Sequence, residues 1–134
     1  FPYTTLFRSW LNGDRGEFMA RYPGVRHRPD GIITLDSGAI VAVETERSMK
    51  TRARYINIIN SHLAASDAGH WHYAMYVMPD DKTKTSLIRL FDSIKTVMRN
   101  NVPVPFDTRN REMFLFRTID ELEQATASGR SKTC

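Results

Sequence analysis

Two runs of β-forming residues, Gly31–Leu35 and 39–45, flank the turn residues Asp36, Ser37 and Gly38, and this pattern predicts a hairpin. Alternation along its second strand puts Ala42, Glu44 and Glu46 on one face and Val41, Val43 and Thr45 on the other. Apolar residues at Met49, Ala53, Ile56, Ile59 and Leu63 then keep helical spacing and predict a helix over about 49–65, capped by Ser48. The segment 70–78, HWHYAMYVM, stops at Pro79 and predicts a third strand, central in the sheet. Leu87, Leu90, Phe91, Ile94, Val97 and Met98 form an amphipathic stripe that predicts a covering helix over 82–100. Pro103 and Pro105 predict a loop, 111–118 a fourth strand, and Asp120 the start of a short polar helix. Ahead of the hairpin, Glu17, Phe18, Met19 and Ala20 predict a short helix that ends before Pro23-Gly24. The whole reads as an α/β sandwich, a central mixed sheet of about four strands flanked by helices.

Length and composition add bounds. The chain has 134 residues, 41% apolar and 25% charged, which suits one core and one domain. Residues 10–128 are expected to form it, 129–134 a tail, and 1–9, FPYTTLFRS, a leader of non-native sequence without functional weight. The net charge of +4 permits a polyanionic partner without requiring one. The single cysteine, Cys134, excludes an internal disulfide and a cysteine-based metal cluster, and fits a reducing, cytoplasmic compartment. No apolar run reaches the roughly 20 residues of a membrane span, so no membrane partner is expected.

The candidate chemistry gathers at the open end of the hairpin. Asp30 stands just before the first strand, and antiparallel pairing returns it level with Glu44 and Glu46. Three carboxylates that close repel unless a cation compensates, and their oxygens are what a hard divalent ion such as Mg²⁺, or Mn²⁺, accepts. Lys50, in the first turn of the expected helix, is placed to reach the same site and to face charge that develops on a phosphate. Arg26, Arg28, Arg47, Arg52 and Arg54 form a basic collar suited to nucleic-acid phosphates. Glu17 is a candidate accessory acid, against the plainer reading of an exposed helix glutamate. Tyr55 reads as packing rather than as a tyrosine nucleophile, and His70 and His72 as strand-edge histidines rather than metal ligands.

The order Pro29-Asp30, hairpin, Glu44-x-Glu46 and Lys50 resembles the PD-(D/E)XK nuclease superfamily, with its restriction-endonuclease-like three-layer sandwich. The finer pattern RxRPD, VExE, xxxK and RxRY is most similar to the plasmid replication-relaxation and MobC-type relaxase group. The resemblance covers roughly residues 24–80, and Glu46 stands where the pattern has its strand lysine. It implies metal-dependent cleavage or nicking of DNA, with Asp30, Glu44 and Glu46 holding Mg²⁺ or Mn²⁺ and Lys50 assisting. The partners it implies are DNA and other plasmid mobilisation or replication proteins. Two alternatives stay open: a DNA-binding module of the same fold without cleavage, which Glu46 in the lysine's place favours, and a protein-interaction domain with a structural ion network.

Overall fold

In the computed structural model, the described backbone runs over residues 7–132 and the described side chains over 10–125. The elements in chain order are β1 (Phe7–Asn12), α1 (Arg15–Arg21), β2 (Gly31–Leu35), β3 (Ile40–Thr45), α2 (Arg52–Asp67) and β4 (Tyr73–Met78). They are followed by α3 (Asp81–Ser93), β5 (Thr96–Arg99), β6 (Val102–Pro105), α4 (Thr108–Arg111), β7 (Phe114–Thr118) and α5 (Ile119–Lys132). Five strands form one mixed sheet in the order β1-β2-β3-β4-β7, one more than the sequence pattern predicts, and β5 pairs with β6 in a separate ribbon.

The expected hairpin is present. Ile33 pairs with Val41 and Gly31 with Val43, antiparallel, around a turn in which Gly38 adopts φ 91°. At that φ a Cβ would clash with its own backbone, so glycine suits the position. The chain then switches direction rules: β4 runs parallel to β3, and β7 parallel to β4, so β3 is where an antiparallel sheet becomes a parallel one. Parallel neighbours need a crossover, which α2 supplies between β3 and β4.

Each face of β3 has its own core. Ala42 belongs to a large cluster with Phe18, Tyr55, Ile59, Leu63, Trp71, Tyr76 and Phe91, so α1, α2 and α3 lie on that side. Val41 and Val43 join Leu35 and Met75 on the other, where Leu122 of α5 packs. Full burial of each large apolar side chain is worth roughly 1.5–3 kcal/mol, so the aromatic cluster dominates the stabilisation.

Several boundaries differ from the sequence expectation. Strand β1 begins at Phe7, inside the stretch expected as a leader, and residues 1–6 of that stretch lie outside the described residues. The helix after the hairpin starts at Arg52, because Thr51 rather than Ser48 caps it, with Thr51 Oγ1 accepting from Arg54 N at 3.3 Å. Lys50 therefore precedes α2 instead of sitting in its first turn. The helix α3 ends at Ser93, whose hydroxyl donates to the Leu90 carbonyl at 2.6 Å, and Ile94 turns extended. Ile94 at the end of α3 and Val97 in β5 are both buried, and their separation by three residues reads in the sequence as a continuing helical stripe although they belong to different elements. Asn100 and Asn101 at φ 53° and 62° close that ribbon, which takes Pro103 and Pro105 into β6 rather than into a loop. Helix α4 occupies the start of the expected fourth strand, and α5 continues through most of the expected tail.

Candidate functional site

The acids sit at the C-terminal end of β3, where the sheet changes from antiparallel to parallel, a place where α/β sheets commonly bind ligands. The loop carrying Asp30 is held by backbone bonds: Asp30 N donates to Val43 O at 3.0 Å and Gly13 N to Asp30 O at 2.9 Å. Gly13 approaches so closely that a Cβ there would stand 2.2 Å from the Pro29 carbonyl oxygen. Asp30 is level with the β3 acids, as the hairpin register requires, but its Oδ2 accepts from Thr45 N at 2.7 Å and from Thr45 Oγ1 at 2.9 Å. Its carboxylate thus leans on the residue between Glu44 and Glu46.

Glu44 is buried, and its Oε2 meets Nε2 of His27 at 2.5 Å and Nε2 of His62 at 2.9 Å. Burial raises the Glu44 pKa, but the hydrogen bonds from His27 and His62, and the favourable electrostatics of the two rings, together outweigh that and hold it at about 2. His62 is fully buried, and burial pushes its pKa below the ordinary value. Trp71 Nε1–H, which can only donate, points at His62 Nδ1 from 3.2 Å. Nδ1 is therefore the acceptor and Nε2 carries the proton given to Glu44, so His62 is neutral. Nitrogen and oxygen atoms of His27, Glu44 and His62 lie within 4.8 Å of one another, close enough to share a metal ion. Ligation through His62 Nε2 first requires that its proton leave, and the Trp71 donor bars the usual transfer of that proton to Nδ1.

Glu46 is also buried, and Lys50 Nζ donates to both of its oxygens, at 2.8 and 2.7 Å. Lys50 thus reaches the acids, through Glu46 rather than Glu44. Its backbone N–H donates to the Tyr55 hydroxyl at 3.1 Å, and its ammonium stands 5.7 Å from the centre of the Tyr55 ring. Tyr55 is fully buried and its pKa is pushed up, chiefly by burial, the opposite of what a nucleophilic tyrosine needs; its part is packing.

The collar divides. Arg26, Arg28, Arg47 and Arg54 are exposed, and none forms an ion pair among the described residues. Arg52 instead donates from Nη2 to Ser93 O at 2.7 Å and ties α2 to the end of α3. Glu17 is exposed on α1, without a hydrogen bond or ion pair to the groups of the site. His70 rests edge-on against Tyr22, and His72 Nδ1 accepts from Ile40 N at 3.0 Å, so both serve the strand rather than a metal. A cavity of about 570 Å³ bounded by Phe91, Phe106, Asp107, Arg111 and Phe114 includes none of Asp30, Glu44 and Glu46.

Sequence reasoning passed over two residues of this site as ligands, His27 and His62. His62 carried a signal, since it falls on the buried stripe of Tyr55, Ile58 and Ile59, where a polar ring requires a partner. Compared with known proteins, the chain matches no family model, no curated protein and no solved structure.

Proposed function

We propose that this chain is a metal-dependent DNA endonuclease or nickase with a restriction-endonuclease-like core of the PD-(D/E)XK kind, acting in plasmid replication, relaxation or mobilisation. The observation that carries the reading is the group of His27, Glu44 and His62 at the end of β3, whose ligand atoms lie within 4.8 Å of one another, with the Lys50 ammonium on neighbouring Glu46 and the Asp30 carboxylate on Thr45 between the two acids. A mixed sheet with helices on its faces is the class of architecture that the sequence resemblance implies. The donors that converge are two ring nitrogens, of His27 and His62, and an oxygen of Glu44, a set that suits Mn²⁺ better than Mg²⁺ once the His62 proton has left. Glu46, and Asp30 bonded to Thr45, stand beside it as further oxygen donors for the hydration of the ion. Such an ion lowers the pKa of water and neutralises phosphate charge.

The chain's own residues supply the rest. The two histidines keep Glu44 ionised inside the protein. Lys50 places positive charge where negative charge grows on the phosphate, and Arg26, Arg28, Arg47 and Arg54 are free to hold the flanking phosphates. In the reaction the oxygen of water bonds to phosphorus as the ester P–O bond breaks, leaving a phosphomonoester and an alcohol. Other plasmid mobilisation or replication proteins are the partners this setting supplies.

One observation favours a second reading. Every acid already has a partner within the chain, Asp30 with Thr45, Glu44 with two histidines and Glu46 with Lys50. That favours a DNA-binding module without cleavage, and it equally suits a protein-interaction domain built around an ion network. Incubation with supercoiled plasmid and Mn²⁺ separates them. The nuclease reading expects nicking that EDTA abolishes and that Asp30→Asn and Lys50→Met each reduce at least tenfold, on the scale of a lost charge-stabilising group. DNA binding with no nicking, indifferent to EDTA, establishes the second reading.

A further inference from the structure

Tyr76 lies on β4 directly opposite Glu44 of β3, and paired positions in a sheet send their side chains to the same face. It is 1% exposed, yet its hydroxyl has no hydrogen-bond partner among the described residues. The ring cannot easily turn to find one. It stacks on Phe116 at 5.8 Å and meets Phe91 and Tyr55 edge-on at 5.5 and 6.4 Å. Neighbouring Tyr55 shows the ordinary outcome, its hydroxyl engaged by Lys50 N. A buried hydroxyl without a partner forfeits its bonds to water, and native interiors rarely leave one so. A phenol hydroxyl carries a proton to donate, and the residue directly across the ladder is the acid Glu44. Its missing acceptor therefore comes from outside the chain.

We propose that Tyr76 is a positioning residue of the acidic site: its hydroxyl donates to a water molecule held against Glu44 in the hydration of a bound divalent cation. The inference rests on the metal-dependent reading above and extends the site from β2 and β3 onto β4.

Tyr76→Phe removes the one oxygen and keeps the ring. Two readouts are taken, the rise in melting temperature on adding Mn²⁺ without DNA, and kcat and KM for cleavage. Without metal, Tyr76→Phe is expected to melt at or above the wild-type temperature, since the orphaned hydroxyl is gone. With Mn²⁺ its rise in melting temperature is expected to be less than about half that of wild type, and kcat to fall about tenfold at unchanged KM, as for loss of an interaction made only in the transition state. A variant equal to wild type in both readouts overturns the inference and leaves the metal-dependent reading standing. A wild-type protein with neither a Mn²⁺ response nor cleavage overturns that reading, and the inference with it. If Tyr76→Phe fails to fold, the near-ultraviolet tyrosine difference spectrum of wild type on adding Mn²⁺ decides: a perturbed tyrosine band supports the role, an unchanged one overturns it.

Discussion

Glu44 is ionised in a place where burial opposes charge, because two imidazoles face one of its oxygens. Its pKa falls from 4.5 to about 2 on folding, so the stability it lends is present above about pH 4.5 and lost as pH falls through 2. The amount is on the order of 3 kcal/mol. His62 acts earlier on the scale: its folded pKa lies below 6.5, so the unfolded chain takes up a proton first and stability declines as pH drops below that value. Urea denaturation of metal-free protein at a series of pH values is expected to show both legs, and Glu44→Gln to remove the lower one. Lys50 and Glu46 form the second charged pair. Lys50→Met leaves Glu46 buried and alone, with an expected loss of about 2 kcal/mol, reduced from the fully buried case because Lys50 is partly exposed. Adding Glu46→Gln is expected to restore most of that loss in a double-mutant cycle. Of these residues, Glu44 and Glu46 were legible in the sequence because strand alternation puts them on one face, and Lys50 was singled out for its nearness to them although the helix expected to carry it starts only at Arg52. The histidines were not, since His27 lies in a loop with no period, and His62 reads as one polar residue in an apolar stripe until Trp71 and Glu44 are seen beside it.

At the scale of elements, the hairpin was readable because its turn residues and its period of two agree. The start of α2 was misread because Ser48 and Thr51 are both competent caps, and only the Thr51 contact to Arg54 N chooses between them. Arg52, expected in the phosphate collar, instead donates to the Ser93 carbonyl at the end of α3. Arg52→Ala is therefore expected to destabilise the fold by about 1 kcal/mol and to leave DNA affinity nearly unchanged, readable by denaturation and by fluorescence anisotropy. The ribbon β5–β6 escaped notice because Val97 of β5 follows buried Ile94 at the end of α3 by three residues and so reads as one more position of the helical stripe. Its turn holds two asparagines at positive φ, so Asn101→Gly is expected to raise stability by roughly 0.5 kcal/mol, and a drop instead would mean that the asparagine side chain contributes to the turn.

The molecule as a whole combines an acidic centre at the end of β3 with four exposed arginines around it in sequence. Arginine contacts to phosphate release counterions, so DNA affinity is expected to fall with salt, and the combined change of Arg26, Arg28, Arg47 and Arg54 to glutamine to lower both the affinity and the salt slope. Among the described residues, no helix is long and apolar enough to cross a membrane. The central claim is that the carboxylates hold a divalent cation. Isothermal titration of Mn²⁺ into the metal-free protein, beside Asp30→Asn and Glu44→Gln, tests it most directly. The account predicts saturable binding by wild type, weakened at least about tenfold in each variant, as for lost ligands or their close supports. Equal binding in all three proteins, or no binding in any, would contradict it.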